Sequence, residues 1–215
     1  MTADRDDSKD LKEASDEELV KAYLEGNQAA FEELVVRYQP VVMNMTYRLL
    51  GNRADAYDVC QEVFILLIRK LHSFRGESKF STWLYRVSLN TCYDHARRSR
   101  RHLSLSESPD DDLPEMEERL PDEGADSPEA AMEREEIRAR VQEAISLLPF
   151  KFREVIFLHD ISGYDYNQVA EILNINLGTV KSRLNRARNR LARELRDFWE
   201  CGEPEESGGK GEQSP

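Results

Sequence analysis

Between Leu177 and Arg196 the sequence LGTVKSRLNRARNRLARELR carries seven cations, six of them arginine, against one acid, Glu194. On a helix whose inner stripe is Val180, Leu184, Ala187 and Leu191, the residues Lys181, Ser182, Asn185, Arg186 and Asn189 point outward near the start. These are the types that read base edges in a major groove, arginine pairing bidentately with guanine and asparagine with adenine. Thr179, Arg183, Arg188 and Arg190 stand where phosphate oxygens would be met. A solvated basic face is the plain alternative for an isolated helix of this kind. Here a short helical stretch, YNQVAEILN, and a turn, NINLG, precede it, and the three together have the form of a helix-turn-helix.

A second cationic stretch, YRVSLNTCYDHARRSRRH, sets Arg86, Arg97, Arg98, Arg100 and Arg101 against Asp94 alone. It follows FRGESKFSTWLY, where Phe74, Phe80, Trp83 and Tyr85 interleave with Arg75 and Lys79. Flat rings beside cations supply the stacking surface and electrostatic groove that single-stranded nucleic acid requires. Aromatics at helical spacing also serve as core, and Phe80 and Trp83 fit either role. A third pattern is acidic: Asp55, Asp58 and Glu62 follow an i, i+3, i+7 spacing in DAYDVCQEVF, with Gln61 beside them. Such a face repels DNA, so in this company it is a candidate for docking a protein.

Reaction chemistry has no comparable footing. The chain holds no phosphate-cradling glycine loop and no Cys/His or Ser/His pairing in sequence, which argues against an enzyme. Three cysteines lack CxxC spacing and four histidines lie far apart, so neither a disulfide framework, a metal site nor a cofactor is signalled. Cys60 lies in an apolar run and is expected in the core, while Cys201 is assigned no role.

The elements that must position these residues are helical. Ser15 to Glu18 forms a capping box for SDEELVKAYLEG, which closes at Gly26. Asn27 caps NQAAFEELVVRYQP, where Phe31, Leu34, Val35 and Tyr38 make one face apolar. Pro40 is expected to kink or interrupt the helix before VVMNMTYRLLG. The next run places Val59, Val63, Phe64, Leu67 and Leu71 on a broad buried face, and a further helix starts near Ser81. Between Glu107 and Glu136 fourteen acids face two arginines among four prolines, a composition too polar to offset its ordering entropy. Downstream come four more helical segments punctuated by Pro149, Gly163 and Gly178. No window is apolar enough to span a bilayer, so no membrane insertion is expected. The acidic N-terminus lacks the apolar core of a signal peptide, and the cytoplasm is the expected location.

Taken in order, FEELVVRYQ, DVCQEVFILLIRKLHSFRGESKFSTWLYRVSLNT, the acidic spacer and LPFKFREVIFLHDISGYDYNQVAEILNINLGTVKSRLNRAR resemble the extracytoplasmic-function (ECF) sigma factors of the sigma-70 family. The resemblance covers roughly residues 15–196 and implies an all-α fold of two small helical domains joined by a flexible acidic linker. The expected divisions are an acidic tail at 1–14, region 2 at 15–102, the linker at 103–130, region 4 at 131–199 and a polar tail at 200–215. It implies that Asp55, Asp58, Gln61 and Glu62 bind the clamp helices of RNA polymerase core. Phe74, Arg75, Lys79, Phe80, Trp83, Tyr85, Asn90, Arg97 and Arg98 would engage the melted single strand of the minus-ten promoter element. Region 4 would read the minus-thirty-five element as duplex through Thr179, Lys181, Ser182, Arg183, Asn185, Arg186, Arg188 and Arg190, and would touch the polymerase flap. The family further implies an anti-sigma factor partner. A stand-alone helix-turn-helix regulator is the competing expectation, but it leaves the acidic face and the second basic cluster without a role.

Overall fold

Local capping chemistry sets several of the helix boundaries. The computed structural model describes residues 11–103 and 128–200. Helix α1 (Asp16–Leu24) opens on the expected reciprocal box: the Ser15 amide donates to Glu18 at 2.7 Å and the Glu18 amide donates to the Ser15 hydroxyl at 3.3 Å. Asn27 caps α2 (Gln28–Leu50) through the Ala29 amide, and Gly51 closes it in the left-handed region at φ 77°. Asn52 then caps α3 (Arg53–Lys70), accepting from the Asp55 amide at 3.0 Å. A 3₁₀ turn, Leu71–Ser73, and a loop lead into α4 (Phe80–Leu103).

Pro40 does not interrupt α2, which runs through it for 23 residues. The bond that proline cannot donate would go to the carbonyl of Val36, and both residues are exposed, so water can serve that carbonyl.

The second half holds the four expected helices: α5 (Pro128–Leu147), α6 (Phe150–Ile156), α7 (Tyr166–Leu173) and α8 (Leu177–Glu200). Helix α6 passes directly into a π-helical turn, Phe157–Ile161. Helix α5 begins three residues before the expected start of the second domain, with proline at its first position, where the missing amide bond costs nothing. The rest of the expected linker (104–127) and the tails 1–10 and 201–215, Cys201 included, lie outside the described residues. No strand occurs among the described residues, and the all-α expectation holds.

In the first unit Leu19, Leu34, Met45, Leu49, Val59, Val63, Leu67, Leu71 and Phe80 are fully buried. Cys60 and Cys92 are both buried, and burial pushes the Cys92 thiol up to about 12, leaving it inert at neutral pH. In the second unit Phe152, Val155, Leu158, Val169, Ile172, Val180, Leu184 and Ala187 pack between α6, α7 and α8. These two sets form one continuous core, because the units also pack against each other. Tyr85 of α4 meets Phe157 and Tyr164 with ring centroids 6.5 and 5.3 Å away. At the end of α2, Gln142 donates to the Tyr47 carbonyl at 3.2 Å and Arg153 donates to the Leu49 carbonyl at 2.5 Å.

Candidate nucleic-acid interface

The helix-turn-helix is assembled from two caps and a left-handed turn. Asp165 starts α7 with a second reciprocal box, accepting from the amides of Asn167 and Gln168 while Gln168 accepts from the Asp165 amide. Asn174 ends α7 at φ 51°, a conformation that asparagine tolerates better than most side chains. Asn176 then accepts from the Thr179 amide at 2.7 Å and from the Thr179 hydroxyl at 2.8 Å, which fixes the direction of α8. Val180, Leu184 and Ala187 are buried and Leu191 packs on the core, so the opposite face turns outward as the periodicity predicted. Lys181, Ser182, Asn185 and Arg186 are all exposed on that face.

The four residues expected at phosphates divide. Thr179 is half-buried through its cap. Arg183 turns inward to Glu154 of α6 at 2.7 Å, where the two side chains keep only 26% and 14% of their exposure. Burial raises the Glu154 carboxyl above its ordinary value and the Arg183 charge opposes that rise. Arg188 donates from two nitrogens to the Asp160 carboxylate, and Arg190 lies 5.4 Å from the centre of the Phe152 ring. Both remain exposed at the surface of α8.

Two neighbours of this face escaped the sequence reading. Tyr166 stacks on His159 at 4.6 Å and lies under the Lys181 ammonium at 5.8 Å from its ring centre. Asp160, in the π turn, orients Arg188. Tyr166 occupies the first helical position of α7, the one signal in sequence that it stands beside the start of α8.

On the first unit Arg75, Lys79, Asn90, Arg97 and Arg98 are exposed, and Phe74 and Trp83 are half-buried. Phe74, Phe80 and Trp83 form a ring cluster with centroids 5.5 to 6.1 Å apart. Phe80 lies at its base with no exposure, also edge-on to Tyr38, so its expected place at the nucleic-acid surface is corrected to that of a core support. Tyr85 is 7% exposed because Phe157 and Tyr164 cover it, and that burial holds its phenol above the ordinary value. Neither position was separable in sequence from its exposed neighbours.

The acidic face of α3 is also partly engaged. Asp55 lies 3.1 Å from His95 and Glu62 accepts from Arg98 at 3.2 Å, which ties α3 to α4. Asp58 and Gln61 are exposed, with Ile65 and Ile68 further along at 49% each. No cluster of ligating side chains suited to a metal ion and no helix long and apolar enough to cross a membrane occur among the described residues.

Residues 34–102 match the family Sigma-70 region 2, and residues 138–191 match Sigma-70, region 4. The sequence is 37% identical over 187 residues to the RNA polymerase sigma-H factor of Pseudomonas aeruginosa, covering 86% of this chain and 96% of that one. It is 38% identical over 182 residues to the ECF RNA polymerase sigma-E factor of Escherichia coli, covering 82% and 92%. Among solved structures, the fold is similar to the sigma factor RpoE in complex with the anti-sigma factor NepR from Bartonella quintana (TM-score 0.60, 25% identity, 77% of this chain and 96% of that one). It is equally similar to CnrH in complex with the cytosolic domain of CnrY (TM-score 0.60, 26% identity, 86% and 99%).

Proposed function

The chain belongs to the sigma-70 family, in its ECF branch, and we infer from that membership that it directs RNA polymerase core to specific promoters and helps melt them. The observation that carries this reading is the order of two matched regions in one chain, the second ending in a helix-turn-helix whose outward face is cationic. A stand-alone regulator would need only the second. The role is that of an initiation factor rather than an enzyme, and its place of work is the cytoplasm, beside the polymerase.

Region 2 corresponds to residues 15–102 and region 4 to 131–199. Lys181, Ser182, Asn185 and Arg186 read base edges of the minus-thirty-five duplex, because they are exposed and lie near the N-terminus of α8. Arg188 and Arg190 anchor phosphates, Thr179 sets the start of the helix, and Arg183 supports the fold of the site by holding Glu154. Tyr166 joins this group by steadying the Lys181 ammonium. Trp83, Asn90, Arg75, Lys79, Arg97 and Arg98 engage the melted minus-ten strand, with Phe74 and Phe80 supporting the Trp83 ring and Tyr85 joining them once it is uncovered.

Asp58 and Gln61 lead the contact to the clamp helices of the polymerase, and Asp55 and Glu62 share it while bracing α4. Region 4 also touches the polymerase flap. An anti-sigma factor is the expected regulatory partner, as in the two complexes to which the fold is similar, and the inducing condition is a stress of the envelope or environment. Transcription in vitro with polymerase core and a library of random promoters tests the reading. Start sites that depend on this chain and share an upstream and a downstream element support it, and a core that initiates identically without the chain overturns it.

A further inference from the structure

The amides in the first turn of an α-helix have no partner within the helix and take one from a capping side chain. At the start of α4 the capping position is Lys79, whose carbonyl accepts from the Trp83 amide at 3.2 Å but whose side chain has no atom that can accept. The Phe80 amide donates instead to Glu17, 63 residues upstream in the first turn of α1, at 3.4 Å. A carboxylate in that place also lies at the positive end of the α4 dipole. The turn that this borrowed cap closes is the one that carries Phe80 and Trp83.

The neighbouring acid reaches the same turn by a second path. Asp16 accepts from the Tyr38 hydroxyl, and from Arg37 at 2.7 Å, while the Tyr38 ring meets Phe80 edge-on at 5.4 Å. Burial, followed by Asp16 itself, raises the Tyr38 phenol well above its ordinary value, so the hydroxyl remains a donor at neutral pH. Arg37 also donates to the carbonyls of Lys12 and Ala14 at 3.4 and 3.2 Å, which ties down the chain entering α1. The third acid of that first turn, Glu18, is occupied by the Ser15 box.

Phe80 is fully buried and Trp83 half-buried, with ring centroids 6.1 Å apart, and Phe74 lies 5.5 Å from Trp83. A base stacks most tightly on a ring that is already held in place, because ordering the ring on binding subtracts from the affinity. Helix α1 ends at Leu24, ahead of the matched residues 34–102, yet two of its side chains brace the platform that those residues present.

We propose that Glu17 and Asp16 are positioning residues for the melted strand: from the first turn of α1 they fix the start of α4 and the Phe80 ring, and so hold Trp83 in the orientation on which an unpaired base stacks. Neither carboxylate touches nucleic acid. The strand part of this proposal rests on the sigma-factor reading above, while the hold on Trp83 is testable without it.

The chain has two tryptophans, so a Trp199→Phe background leaves Trp83 as the single reporter. In the full chain, Glu17→Ala and Tyr38→Phe, the latter keeping the ring on Phe80 while removing the donor to Asp16, are each expected to raise quenching of Trp83 by acrylamide and shift its emission to the red. The helical circular dichroism is expected to be retained. Glu17→Gln, which keeps an acceptor, is expected to behave nearly as the unmodified chain. In holoenzyme, Glu17→Ala is expected to lower affinity for a single strand carrying the downstream element, selected with the unmodified holoenzyme, about fivefold, the effect of one lost cap. That loss should vanish in a Trp83→Ala background, because Glu17 acts through Trp83. Lys21→Ala, exposed on the same helix, is expected to change nothing.

Unchanged Trp83 emission and quenching in Glu17→Ala overturn the proposal, and the same result in Tyr38→Phe removes Asp16 from it. A loss in Glu17→Gln as large as in Glu17→Ala overturns the cap at Phe80. A loss of strand affinity that persists in full without Trp83, or that Lys21→Ala reproduces, overturns the positioning role in favour of a general loss of stability. If Trp83 responds to both variants but no promoter can be selected, the sigma-factor reading falls and the hold on Trp83 stands.

Discussion

Arg183 and Arg186 are three residues apart on α8, yet only one faces solvent. Arg186 is exposed and pairs with no acid among the described residues, which suits a base reader. Arg186→Ala should cost about 1 to 3 kcal/mol and relax preference at one upstream base pair, whereas Arg190→Ala should weaken all sequences alike and reduce the salt slope by about one. Holoenzyme binding to single-base variants of the upstream element at two salt concentrations distinguishes these effects. An unchanged base profile for Arg186→Ala would remove it from the readers. Arg183, by contrast, neutralises a carboxylate that is largely buried. Arg183→Met should destabilise the fold by about 2 to 4 kcal/mol at neutral pH, because it strands that charge. Burial raises the folded-state pKa of Glu154, so above its unfolded value the native state holds more protons than the unfolded one and stability falls as pH rises. Loss of Arg183 enlarges that fall, so the deficit should shrink as pH is lowered toward 5, and Arg183→Met with Glu154→Gln should recover most of it. Denaturant melts of the four-member cycle at pH 5 and 7 check both statements, and an identical deficit at the two values would contradict the second.

At the scale of elements, the junction between α2 and α3 satisfies two demands at one residue. Gly51 adopts φ 77°, which L side chains resist, and it also faces Ser146 of α5. Gly51→Ala should lose about 1 to 2 kcal/mol to the left-handed backbone alone and more to the crowding. Ser146→Gly should relieve only the second part, so thermal melts should show the double variant above the sum of the singles. Strict additivity would mean that α5 yields freely and that the close approach does not matter. The recognition helix is set by comparable economy: Asn174 turns the chain and Asn176 caps α8, so the direction of the cationic face follows from a few residues of turn.

For the whole molecule, charge is segregated. The acids from Glu107 to Glu136 exceed the arginines there by the full net charge of -12, so the remainder of the chain is close to neutral while α8 is strongly cationic. A chain acidic as a whole is repelled by duplex DNA at long range even though one of its helices is strongly cationic. Replacing Asp110, Asp111, Asp112, Glu115, Glu117 and Glu118 by their amides should therefore raise the affinity of the free chain for random duplex several-fold at low salt. The gain should fade as the Debye length shrinks from about 30 Å at 0.01 M to about 3 Å at 1 M. Anisotropy titrations across that range measure it, and a gain independent of salt would point to something other than repulsion.

What the sequence determined by itself was local. The all-α class, the caps at Ser15 and Asn27, the helix-turn-helix and the outward face of α8 all rest on spacings of a few residues, which a single helix or turn imposes on its own atoms. The family likewise was legible, because its motifs are contiguous stretches in a fixed order. Only the tertiary structure decided which cations are committed: Arg183 to Glu154 and Arg188 to Asp160, 29 and 28 residues away. It alone placed Phe80 beneath Trp83, hid Tyr85 under Phe157 and Tyr164, and laid Arg153 on a carbonyl 104 residues upstream. The reason is that periodicity tells which side of a helix turns inward but not which other helix will cover it. Two amphipathic units separated by a polar segment carry no local record of whether they pack together.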